Sequence, residues 1–172
     1  MIDLYDLLHD EVDHVVRMLT QIESTTLERS RDMEKYFNDV RNRVKGYEVA
    51  IEGLNGIQMA IAFFSREGTA NAPLRRSLAS LLERVTSPEG QTQVEQSGLS
   101  NLKRLPAIVS FHRTAVAALE AENWEVLRML LSDMYVLSEP FSPIRSPMLY
   151  EIAPRKLTFH TGLEHWLLGE KF

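Results

Sequence analysis

The stretch from Ala107 to Leu137, AIVSFHRTAVAALEAENWEVLRMLLSDMYVL, decides how this chain folds. Ile108, Phe111, Ala115, Ala118 and Leu119 recur at steps of three and four, so they share one helix face. Asn123 stands where that pattern stops, and its side-chain oxygen can accept from backbone N–H groups one turn on. Val126, Leu127, Leu130, Met134 and Leu137 then form a second stripe. The spacing predicts two helices folded back at Glu122-Asn123. The short link makes them antiparallel, and Ala115, Ala117, Ala118 and Ala121 let them approach closely.

Upstream lies a second regular region. Met33, Phe37, Val40, Val44, Tyr47, Ile51, Leu54 and Ile61 alternate steps of four and three, with Gln58 in the one polar slot. That is a heptad-like seam suited to a bundle. Gly46, Gly53 and Gly56 each weaken a helix by roughly 1 kcal/mol relative to Ala, so we expect a bend near Gly46 or a neighbour packed closely on the glycines. Ile2 to Glu23 reads as the first helix, its stripe being Leu4, Leu8, Val12, Val15, Leu19 and Ile22. Pro73 to Val85 reads as a short helix with Leu74, Leu78, Leu81 and Leu82 inward and Arg75, Arg76 and Arg84 outward. Pro106 kinks the next helix or marks its start.

Beyond Leu137 the character changes. Pro140, Pro143, Pro147 and Pro154 exclude a regular helix, yet Phe141, Ile144, Met148, Leu149, Tyr150 and Ile152 are too apolar for a free linker. This is read as an arm over the bundle or a partner, followed by a short strand at Lys156 to His160 and a last short helix with Trp166, Leu167 and Leu168. The predicted fold is all-α: an antiparallel bundle of about six helices over residues 1–138, with an irregular proline-rich arm over 139–172.

With 172 residues, 44% of them hydrophobic, the chain can bury a real core as one domain. A net charge of -5 disfavours direct nucleic-acid binding. The absence of cysteine excludes disulfides, thiolate metal sites and a cysteine nucleophile, and suits a cytoplasmic location. The acidic, amphipathic N-terminus is not read as a signal peptide, and no apolar run reaches membrane-spanning length.

Candidate chemistry is sparse. Glu11 and His14 form one Glu-x-x-His, the spacing used by di-iron carboxylate bundles, but such sites need a second copy and further glutamates. His160, Glu164 and His165 make at most a weak surface site. There is no Gly-rich phosphate loop, Gly-x-Ser-x-Gly or His-Glu-x-x-His. The expectation is no enzyme activity, no cofactor and no metal.

Leu4-Tyr5-Asp6, Ala62-Phe63-Phe64 with Asn71-Ala72-Pro73-Leu74, and His112-Arg113 through Asn123 together resemble the helical effector-binding domain of GntR-type transcription regulators, the FadR C-terminal kind. The resemblance implies a small-molecule-sensing domain. It also implies that the family's metal site is largely erased: Ala60 and Phe64 stand in place of an Asp and a His, His112 matches a second His, and Met134 replaces the last. The winged-helix DNA reader of such regulators is not in this sequence. Ile2 to Asn55 is similar, more distantly, to hemerythrin-like bundles, with Val12, Gly46 and Ala50 at positions where ligands would stand.

Three functions follow as expectations. The first is a non-enzymatic helical interaction domain in a regulatory complex, homodimeric through the seam or the arm. The second is an effector sensor whose pocket lies between the seam helix and the central hairpin, with His112, Phe64, Phe111 and Met134 as ligand-binding residues. A metal-binding bundle is the third reading.

Overall fold

The structure is a computed structural model and describes residues 4–24, 33–65, 70–86, 101–137 and 145–148. Helices dominate these residues. Helix α1 spans Leu4–Glu23, α2 Met33–Phe64 and α3 Asn71–Thr86. A 3₁₀ turn at Asn101–Arg104 leads into α4, Leu105–Glu120, which has Pro106 in its first turn. Pro106 therefore marks a start and not a kink, because its missing N–H costs nothing there. Helix α5 is short, Trp124–Arg128, and widens into a π turn over Met129–Asp133.

The apolar stripes become the core except at Leu4 and Leu119, which their spacing placed inward and which are exposed. Leu8, Val12, Val15 and Leu19 of α1 are buried, as are Val40, Tyr47, Ile51, Leu54, Gln58 and Ile61 along the α2 seam. Leu74, Leu78, Leu81 and Leu82 of α3 close it from one side, and Ala107, Ile108, Phe111, Ala117 and Ala118 of α4 from another. Helix α2 packs mainly on α1 and α4, while α3 packs on α1 and α4 and barely meets α2. The helices thus stand in a ring in the order α1, α2, α4, α3.

Side-chain neighbours give the directions. Ile22 lies over Gly46 and Glu11 over Gly53, so α1 and α2 are antiparallel. Ser110 bonds Asn55 and Asn123 bonds Ala62, so α2 and α4 run the same way. The bundle therefore contains parallel neighbours as well as antiparallel ones.

Helix α2 passes unbroken through its glycines. A Cβ at Gly46 would meet Ile22 at 3.5 Å, and one at Gly53 would meet the Glu11 carboxylate at 2.8 Å. No bend forms at either position; a Cβ at Gly46 would be in ordinary contact with Ile22, and one at Gly53 would ask only the flexible end of Glu11 to shift.

Two features depart from expectation. The apolar stripe ending at Leu137 is helical only to the π turn; Tyr135–Leu137 is strand β1, paired antiparallel with β2, Arg145–Pro147. Met134 and Val136 are buried while Tyr135 is exposed, a two-residue alternation that satisfies a strand. Arg84, expected outward, is turned into the bundle with its side chain only 6% exposed. The strand and helix expected at Lys156 to Leu168, and most of the arm, lie outside the described residues. Among the described residues no helix is long and apolar enough to cross a membrane.

Candidate functional site

The four residues expected to line a pocket are not brought together. Phe111 and Met134 are core residues, 3% and 2% exposed. His112 is on the outer side of α4, where its Nδ1 meets the Ile108 carbonyl at 2.8 Å and its ring stands edge-on to Phe111. Phe64 is at the end of α2, 73% exposed. It does line a cavity, but with different neighbours.

That cavity, about 600 Å³, lies at the tip of the α4–α5 hairpin beside the end of α2. Phe63, Phe64 and Trp124 supply its aromatic walls, and Glu122 and Glu125 its charge. Phe63 and Phe64 meet edge to face with centroids 5.1 Å apart, a favourable quadrupolar arrangement. Among the described residues neither glutamate has an ion-pair partner.

Asn123 builds this tip. Its Oδ1 accepts from the Val126 N–H at 3.3 Å, the N-cap legible in the sequence. Its Nδ2 donates to the Ala62 carbonyl at 3.0 Å and the Ser65 carbonyl at 2.9 Å. One side chain thus caps the start of α5 and gathers carbonyls at the end of α2, and Trp124, the next residue, lines the same cavity as Phe63 and Phe64. Glu122, the residue before it, has φ of 52°, in the left-handed region. Side chains with a Cβ avoid that region, so the tight turn is made at some cost. Sequence reading missed the tip because exposed Phe63 and Trp124 look the same as core aromatics in a helical stripe.

A second concavity, about 390 Å³, runs between the first turns of α1 and α3. Tyr5, His9 and Asp13 face Arg76, Ser77 and Ser80 across it. Glu11 and His14 do not converge there, and among the described residues no group of three or more His, Asp or Glu could hold a metal ion.

At the other end of the bundle, Arg84 Nη1 bonds both Glu23 carboxylate oxygens, at 2.8 and 2.9 Å, and Nη2 donates to the Lys103 carbonyl at 2.7 Å. Burial raises the Glu23 pKa above its ordinary value although Arg84 opposes the shift. Burial also lowers that of Arg84. Both charged forms are penalised, as expected where desolvation exceeds the attraction of the pair. The Tyr47 hydroxyl is buried nearby, and desolvation together with the Glu23 charge pushes its pKa up. This buried pair ties α1 to α3.

The polar slot Gln58 also finds a structural partner, since its Nε2 donates to Ser77 Oγ at 2.9 Å while Ser77 donates on to the Leu74 carbonyl. No family model, curated protein or solved structure matches the chain.

Proposed function

We propose that this chain is a non-enzymatic helical interaction domain that associates with a second copy of itself through the outer side of α4 and α5. The observation that carries the reading is a set of exposed apolar side chains, Val116 on α4, Leu131 in the π turn that continues α5 and Tyr135 on β1, apart from those that line the tip cavity. Arg113, Val116 and Glu120 share a face of α4 by their spacing, and all are exposed. Two copies laid antiparallel across Val116 set each Arg113 opposite the other copy's Glu120, the self-complementarity a two-fold interface requires. Sedimentation from about 10 μM to about 1 mM tests it. The expected result is a concentration-dependent dimer that Val116→Glu abolishes without changing helicity. A chain that stays monomeric throughout overturns the reading.

A second reading, small-molecule sensing, is favoured by the α1–α3 concavity, whose volume lies in the range of ligand pockets. The resemblance to effector-binding domains supports it, although the lining there is Tyr5, His9 and Arg76 and not His112. Thermal shifts with a metabolite panel that Arg76→Ala removes would support it. An unchanged melting temperature across the panel would count against it.

A further inference from the structure

We infer that the aromatic cavity at the hairpin tip seats an arginine side chain from a basic segment of a partner protein. The inference rests on the interaction-domain reading and names the chemistry of one contact. Phe63, Phe64 and Trp124 line the cavity, and a cation is attracted to the face of an aromatic ring by its quadrupole, most strongly on Trp. Glu122 and Glu125 stand in the same lining with no cation beside them among the described residues. The C-terminal end of the 32-residue α2 also opens here and carries the negative end of its dipole. The first turn of α5, at Trp124 and Glu125, brings a positive helix end to the same cavity, so the two carboxylates carry the attraction for a cation.

The shape selects further. Guanidinium is planar, weakly hydrated and stacks on aromatic faces while its fork binds carboxylates, whereas ammonium is compact and strongly hydrated. A partner segment with apolar residues beside the arginine also gains from Leu119, which is 56% exposed on the last turn of α4. The tip is preorganised for this. Asn123 fixes the backbone at the tip by bonding both the end of α2 and the start of α5 before any partner arrives, so the backbone there needs no reordering on binding.

The test uses the full chain and follows the Trp124 indole N–H by NMR, assigned by its loss in Trp124→Phe. The probes are a capped Gly-Leu-Arg-Leu-Gly peptide, the same peptide with citrulline for arginine, and capped arginine alone. The expected result is saturable shifts with the arginine peptide, at least tenfold weaker binding of the citrulline peptide, and weaker binding of capped arginine. The double variant Glu122→Gln, Glu125→Gln should weaken the arginine peptide at least fivefold with an unchanged melting curve. Equal binding of the arginine and citrulline peptides, or no saturation, overturns the inference. Tighter binding of capped arginine than of the peptide overturns the protein-segment source. A concentration-dependent dimer that ignores the arginine peptide removes this inference and leaves the domain reading. A monomer that binds the arginine peptide removes self-association and leaves the site.

Discussion

Gly56 is the simplest residue to argue. A Cβ there would meet nothing within 4 Å, and the position is solvent-exposed in the middle of α2. Gly56→Ala should therefore stabilise the chain by about 0.5–1 kcal/mol, read as a shift in urea midpoint at constant slope. Arg84 is the opposite case. Arg84→Met leaves the Glu23 carboxylate buried without its partner and should cost about 3–5 kcal/mol, while replacing Glu23 by Leu at the same time should recover much of that loss. The pair also sets a pH dependence. Because the folded Glu23 pKa lies above 4.5, the folded chain holds this proton to higher pH than the unfolded chain does. The contribution of Glu23 to stability is then greatest below 4.5 and declines as pH rises through the raised value. Comparing wild type with Glu23→Gln in urea across that window should show this decline in the wild type only. None of this could be read from sequence, where Arg84 looks like any other arginine beside an α3 stripe of leucines.

Among the elements, the α4–α5 hairpin owes its angle to Asn123. Asn123→Ala removes the cap of α5 and the donors to Ala62 and Ser65 together, and should cost about 2–3 kcal/mol in thermal unfolding. Asn123→Asp keeps the accepting oxygen and loses the donors, so it should fall between. The cap was legible because an Asn between two apolar stripes has few other uses. The bond to α2 was not, because it joins residues 61 apart in sequence. Element type was legible where periodicity ran long, as in α2. It failed at Met134 to Leu137, where four residues fit a last helical turn and a strand equally well. There the pairing with Arg145–Pro147, together with the Met148 N–H bonding the Met134 carbonyl at 2.9 Å, decides the matter. His112 was misjudged for a similar reason. One residue past Phe111 is about 100° around the helix, which is enough to carry a side chain from core to solvent.

In the molecule as a whole, α2 is the element most covered, since it packs on both α1 and α4. Amide exchange should be slowest from Tyr47 to Ala62, where α2 is packed by both α1 and α4, and faster in α1, which among the described residues packs less extensively, mainly on α2 and α3. Equal protection of α1 and α2 would contradict that ranking. The ring order that produces it was out of reach of sequence, because stripes say which side of a helix is buried but not against which neighbour. The tip has one more consequence, and it concerns anyone who would harden this protein for use at high temperature. The ordinary recipe puts glycine wherever the backbone turns left-handed, and at position 122 that recipe promises extra heat resistance. It would also delete a carboxylate facing the aromatic walls, so a screen scored on melting alone would select the sturdier chain and blunt its grip on cations.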